Sequence, residues 1–246
     1  NQPSYNPNGI RSGDAAGMRN RAVTDTYEPG STVKPFTVLA ALESGQYAPD
    51  SAIDTAPGYF RVGSKLVEDP INRGVISLRQ TLEKSSQVGI AKVALGLDER
   101  AVFEALARAG VGGYIGTGLP GEAVSAMSDE GLGNPVVRAT LAYGYGLAVS
   151  PLQLAQAYLT LATGGLRLPL TVLRQESPPP GERVFANAVT RDVISMMEGV
   201  TADAGTAPKA RVAGYRVAGK TGTARKVSAH GYDDERHVAL FAGMAP

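Results

Sequence analysis

The chain has 246 residues, 43% of them hydrophobic, and a formal net charge of +1 from 24 basic and 23 acidic side chains. That is enough apolar chain for a sizeable core, and the interspersed charges argue against nucleic acid or an anionic membrane as the main partner. Cysteine is absent and the histidines are His230 and His237, which removes disulfides, thiolate nucleophiles and sulfur-ligated metals, and leaves too little for a histidine metal cluster. No metal or other cofactor is expected.

Up to Ala22 the chain reads as irregular and polar. Pro29-Gly30 then marks a turn, and Val33, Phe36, Val38, Leu39 and Leu42 recur at helical period before Gly45 stops them. Ser31 therefore sits at a helix N-terminus, with Lys34 one turn on and its ammonium directed back toward the Ser31 hydroxyl. A serine so placed is suited to acyl transfer. Its oxygen can attack a carbonyl while N-terminal amides and the helix dipole face the developing oxyanion. A desolvated lysine near a second cation can accept the hydroxyl proton. The plainer alternative is that Ser31 only caps the helix and Lys34 is a solvated surface charge.

Residues 48–72 suit a short hairpin, with Tyr59 to Val62 and Lys65 to Val67 as its arms. Ser77 to Gln80 has the form of a capping box and opens a helix that breaks at Ser85-Ser86-Gln87 and resumes to Leu95. Asp98 reads as the N-cap of a helix ending at Gly110, and residues 111–133 as glycine-rich loop. Ser150-Pro151-Leu152-Gln153 combines an N-cap, a first-turn proline and a glutamine at the third position, predicting a helix from Pro151 to about Thr163. Another helix is expected from about Thr190 to Val200. Tyr215 to Val227 and His237 to Met244, joined by a polar loop, read as an antiparallel pair.

Gly214 to Thr221 matches the phosphate-loop pattern GxxxxGKS/T. Its context is wrong: bulky residues occupy the loop, Gly222-Thr223 follows where a helix is required, and too little chain remains for parallel crossovers. The other use of Lys220-Thr221-Gly222-Thr223 is as a strand at the rim of a cleft. Gly222 then admits a substrate backbone, Lys220 supplies a cation, and the threonine hydroxyls hold a carboxylate.

SxxK, then a Ser-x-amide triplet between helices, then KTG on a strand is the motif order of penicillin-binding proteins and class A β-lactamases. The segments around Ser31, Lys84 to Gly89, Ala142 to Leu147 and Gly219 to Lys226 resemble the transpeptidase domain of class B penicillin-binding proteins, most of all the division-specific (septal) peptidoglycan D,D-transpeptidases. The resemblance implies an α+β fold, a helix-rich subdomain plus an antiparallel sheet, with residues 1–246 as one transpeptidase domain truncated at both ends. It implies Ser31 as acylated nucleophile, Lys34 as general base, Ser85 as proton relay and Lys220 as the cation that holds the site's electrostatics. Gln87, Thr221, Gly222, Thr223, Tyr145 and Arg225 would bind substrate, with the Ser31 and Thr223 amides as oxyanion hole. The partners implied are a peptidoglycan stem peptide ending in D-Ala-D-Ala, β-lactam antibiotics and division-machinery proteins. The place implied is the periplasmic face of the bacterial inner membrane, anchored by an N-terminal helix outside this chain.

The sequence departs from the family at position 87, where Gln replaces the Asn of Ser-x-Asn. The added methylene displaces the amide by roughly 1.5 Å on an unmoved backbone, and misplacement by about 1 Å can cost on the order of a hundredfold in rate. In the family the sheet is five-stranded, so an incomplete sheet with an open edge is expected. Competing readings are a D,D-carboxypeptidase or β-lactamase on the same scaffold and a non-catalytic penicillin sensor or scaffold. The ExxLN-type deacylation motif of class A β-lactamases is missing from the sequence.

Overall fold

The computed structural model describes residues 6, 8–9, 15–177, 179–228 and 231–245. Two short helical turns, α1 (Ala15–Met18) and α2 (Arg21–Thr24), lead to a 3-10 turn (Gly30–Val33) and α3 (Lys34–Glu43). Where irregular chain is expected, α2 forms because the Asn20 carbonyl accepts the Val23 and Thr24 amides at 3.0 Å while Val23 packs inward. Next come β1 (Ala52–Asp54), β2 (Tyr59–Val62), β3 (Lys65–Glu68), β4 (Val75–Ser77), α4 (Leu78–Glu83), α5 (Gln87–Gly96) and α6 (Ala101–Arg108). The chain continues through β5 (Ala126–Met127), α7 (Pro135–Ala142), β6 (Leu147–Ala148), α8 (Pro151–Ala162), β7 (Leu166–Arg167) and β8 (Glu182–Arg183). It closes with α9 (Asn187–Thr201), a 3-10 turn (Pro208–Ala210), β9 (Ala218–Ser228) and β10 (Gly231–Met244).

Both capping boxes form. The Ser77 hydroxyl accepts from the Gln80 amide and the Ser150 hydroxyl from the Gln153 amide, and each glutamine side chain returns to its cap amide. Several boundaries differ from expectation: Ser31 lies in the 3-10 turn and the α-helix proper starts at Lys34, while the strand expected from Tyr215 starts at Ala218. Asp98 does not cap α6: its carboxylate takes the Arg100 amide and its carbonyl the Ala101 amide, forming a turn just before the helix. Helix α9 begins at Asn187, a turn before Thr190, behind Ala186, which makes no side-chain cap bond and so gives no sequence signal.

Helix α3 is the centre of the core. Every residue from Lys34 to Ala41 is buried, and the helix packs against α5, α6 and α9. Phe36, Leu39, Leu82, Ile90, Leu106, Leu161 and Met196 are fully enclosed around it, each worth about 1.5–3 kcal/mol relative to exposure. Among the described residues every sheet is an antiparallel pair: β1 with β4, β2 with β3, β5 with β6, β7 with β8, β9 with β10.

The long β9–β10 ribbon lies along α9 and over the turn that carries Ser31. Its ladder extends into the segment expected as a polar loop, pairing Gly231, Tyr232 and Asp233, and shifts register between Asp233 and His237. The outer side of β10 has no strand neighbour among the described residues, in line with the expected open edge. It borders an apolar groove of about 690 Å³ shared with Tyr27, Leu154, Tyr158 and Leu159.

Candidate active site

The turn bearing Ser31 is held on three sides. Gly30 donates its amide to the Gly144 carbonyl at 3.1 Å. A Cβ at Gly144 would sit 2.0 Å from the Gly30 oxygen, so only glycine allows this approach. From α8, the Tyr158 hydroxyl donates to the Thr32 carbonyl at 2.8 Å. From above, a Cβ at Gly222 would fall 2.7 Å from Thr32 Cγ2 and 3.1 Å from the Pro29 oxygen, so β9 also rests directly on the turn. Ser31 itself is half-buried, and its hydroxyl makes no hydrogen bond among the described residues. The cap position is Pro29 and carries no side-chain bond, so Ser31 is not spent on capping.

Lys34 is not a surface charge: its side chain is fully enclosed. Its Nζ donates to the Ser85 carbonyl at 2.6 Å and to Ser85 Oγ at 3.2 Å, rather than to the Ser31 hydroxyl. Lys220, also enclosed, approaches the same hydroxyl from β9, with Nζ 2.8 Å from Ser85 Oγ and 3.1 Å from the Thr221 carbonyl. Burial first, and then the Lys220 charge, hold the Lys34 amine well below the ordinary lysine range against an opposing pull from Asp69. Burial pushes Lys220 down to about 7. Two amines with one hydroxyl between them, at least one of them readily neutral, are an arrangement able to pass a proton.

Ser85 reaches this place through the break between α4 and α5, where its φ is +56°, the left-handed region rarely used by residues other than glycine. Gln87 opens α5. It lines a cleft of about 500 Å³ together with Thr140, Tyr143, Tyr145, Thr223 and Tyr232. Thr221 and Gly222 lie beside Lys220 on β9, and the Thr221 hydroxyl is 3.0 Å from that of Thr206. The predicted residues Ser31, Lys34, Ser85, Lys220, Thr221 and Gly222 thus converge, and Gln87, Tyr145 and Thr223 wall the adjoining cleft. The Arg225 side chain lies outside the described residues.

Comparison with known proteins decides the family. A family model described as the penicillin binding protein transpeptidase domain matches residues 1–246. The chain belongs to this family. Across its whole length it is 40% identical to the peptidoglycan D,D-transpeptidase FtsI of Escherichia coli K12 and 37% identical to the probable peptidoglycan D,D-transpeptidase PenA of Neisseria gonorrhoeae, and it spans 42% of each. The apo transpeptidase domain of Burkholderia pseudomallei penicillin-binding protein 3 superposes with a TM-score of 0.87 at 38% identity, covering 93% of this chain and 70% of that one. The α+β fold is that of the transpeptidase family.

Several residues of this transpeptidase domain gave no signal in the sequence. Asp69, in the turn after β3, receives the Ser86 hydroxyl and the Gln87 amide at 2.5 Å each. Thr206 comes from the loop after α9. Glu28 accepts the Gly146 amide at 2.9 Å and the Tyr232 hydroxyl at 3.0 Å. Tyr232 stacks edge-on against Tyr145, which stacks against Tyr143, with centroids 5.7 and 5.8 Å apart. A loop acid before a proline, or a lone tyrosine at a hairpin end, has no spacing to mark it; only the folded arrangement does.

Proposed function

We propose that this chain is the catalytic domain of a serine D,D-transpeptidase that cross-links peptidoglycan stem peptides. Ser31 Oγ attacks the carbonyl of the penultimate D-alanine of a donor stem, and its proton passes to the neutral Lys34 amine. The Ser31 and Thr223 amides receive the oxyanion. As the C–N bond breaks, Ser85 gives its proton to the departing D-alanine nitrogen and regains one from the lysine pair. The acyl-enzyme is then attacked by the side-chain amine of a second stem, which forms the cross-link and frees Ser31. Thr221 and Thr223 hold the donor carboxylate, with Lys220 as the nearby cation. Gln87, Gly222, Tyr145 and Arg225 complete the substrate cleft.

The observation that carries this reading is Ser85 Oγ lying within hydrogen-bond reach of two enclosed lysine amines. A β-lactam, which presents a strained amide to the same serine, is the inhibitor class that fits. The resemblance to septal members supports work at the division site with partners from the division machinery, on the periplasmic face of the inner membrane and anchored by chain outside residues 1–246. Among the described residues no helix is long and apolar enough to cross a membrane.

The test is mass spectrometry after incubation with benzylpenicillin, wild type against Ser31→Ala. One adduct on wild type, carried on the Ser31 peptide, stable for many minutes and absent from the variant, is expected. A folded wild type with no adduct defeats the acyl-transfer reading. An adduct that turns over in seconds replaces the transpeptidase with a hydrolase.

A further inference from the structure

Beyond the four catalytic groups, one carboxylate determines where Ser85 stands. Asp69 lies in the turn between β3 and β4, far from the motif in sequence, and its two oxygens divide the start of α5 between them. Oδ1 accepts the Gln87 amide at 2.5 Å and the Val88 amide at 3.3 Å, while Oδ2 accepts the Ser86 hydroxyl at 2.5 Å. The two amides are unpaired donors of the first helical turn, where the dipole favours an anion. The Ser86 oxygen in turn accepts the Gly89 amide at 2.9 Å, so its proton has one direction to go and the side chain one orientation.

The residue just before this clamp is Ser85, in its left-handed conformation. On its other side, Ser85 is bound through both carbonyl and hydroxyl by Lys34. A strained residue persists only where its surroundings over-determine it. Lys34 holds one flank, and the other is held by Asp69 through Ser86 and Gln87.

We propose that Asp69 is a positioning residue of the site. It clamps the Ser86-Gln87-Val88 start of α5 so that Ser85 Oγ stays between Lys34 and Lys220 and the Gln87 side chain faces the cleft. Lys34 is faced by Lys220 from β9, by Asp69 from the β3–β4 turn and by Ser85 from the α4–α5 junction, and Asp69 is the anion of that set. This rests on the acyl-transfer reading above for its kinetic consequences and on geometry alone for the rest.

Two measurements on Asp69→Asn and Asp69→Ala test it. The first is the second-order rate of acylation by benzylpenicillin against pH, with circular dichroism to confirm folding. Asp69→Ala is expected to acylate on the order of a hundredfold more slowly, the loss typical of a displacement of about 1 Å. Asp69→Asn, which keeps the shape and loses the charge, is expected to acylate more slowly and to move the acidic limb of the profile to lower pH, because Lys34 then gives up its proton more easily. The second is the titration of the Lys34 ε-amine followed by NMR, which needs no reaction. Its midpoint is expected to fall in Asp69→Asn. A helix cap and nothing more would lower stability but leave the limb and the midpoint where they were, and that result overturns the proposal. So does a folded Asp69→Ala that acylates within threefold of wild type. Should wild type fail to acylate, the transpeptidase reading falls, and the NMR midpoint still decides whether Asp69 acts on Lys34.

Discussion

Lys34 and Lys220 converge on one oxygen: their amines lie 3.2 and 2.8 Å from Ser85 Oγ. One comes from the central helix and the other from the ribbon, so this contact ties the helical body to β9 at the site itself. Ser85→Ala removes the shared atom and leaves two enclosed amines without it. Acylation by a chromogenic β-lactam is expected to fall by roughly 10²–10⁴-fold, the usual contribution of a positioned proton-transfer group, with secondary structure intact. A rate within fivefold of wild type would show that the hydroxyl does not relay protons.

The same pair makes stability depend on pH. Lys34 is held well below the ordinary lysine value and Lys220 at about 7, so between those values and about 10.4 the unfolded chain binds more protons than the folded one. Stability therefore rises with pH over that window, by at most about 1.4 kcal/mol per pH unit for each titrating lysine. Above about pH 10 the trend reverses, because Tyr27, Tyr143 and Tyr232, raised to about 12, ionise first in the unfolded chain. The urea midpoint at pH 9 is expected to exceed that at pH 7, and Lys220→Met to flatten the rise. A midpoint that drops from pH 7 to pH 9 contradicts the assignment.

Gly222→Ala probes how closely β9 rests on the Ser31 turn. The added methyl would meet Thr32 Cγ2 at 2.7 Å and the Pro29 carbonyl at 3.1 Å, and overpacking of this kind costs about 1–3 kcal/mol. The ribbon is expected to lift, lowering the melting temperature and slowing acylation at least tenfold. Unchanged acylation would mean that the strand need not sit against the turn.

Thr206 places a further hydroxyl 3.0 Å from that of Thr221. Thr206→Ala is expected to weaken noncovalent β-lactam binding by about 3- to 10-fold, the worth of one hydrogen bond, and to leave the acylation rate constant at saturation nearly unchanged. Stopped-flow kinetics separate the two. A fall confined to the saturating rate would move Thr206 out of the carboxylate site.

Gln87→Asn restores the shorter amide of the family. Gln87 lines the same cleft as Thr223 and Tyr145, so the residue keeps its place at the site despite the added methylene. Acylation is expected to quicken severalfold in Gln87→Asn; no change would show that the longer side chain costs nothing.

The helices with chemical punctuation were legible: the boxes at Ser77 and Ser150 gave α4 and α8, and Pro29-Gly30 gave the start of the Ser31 turn. Helix α9 began a turn early because Ala186 offers no cap. The ribbon ran longer than expected because a bulge at Asp233 lets polar residues continue the ladder, which composition reads as a loop. The motifs gave Ser31, Lys34, Ser85 and Lys220, but not the hydrogen bonds that the Lys34 amine makes. Helical spacing aims that amine at Ser31, whereas the Ser85 carbonyl, brought in by tertiary folding, takes it. Asp69 and Thr206 were out of reach for the same reason: each acts from a loop distant in sequence.

The φ of +56° at Ser85 is strain with a return. A left-handed serine costs about 1–2 kcal/mol that glycine would not, so Ser85→Gly relaxes the main chain while deleting the one oxygen both amines share. Losing that buried acceptor costs about 1–3 kcal/mol and offsets the relief, so glycine hardens nothing here and the tension in the main chain is kept by the oxygen it presents.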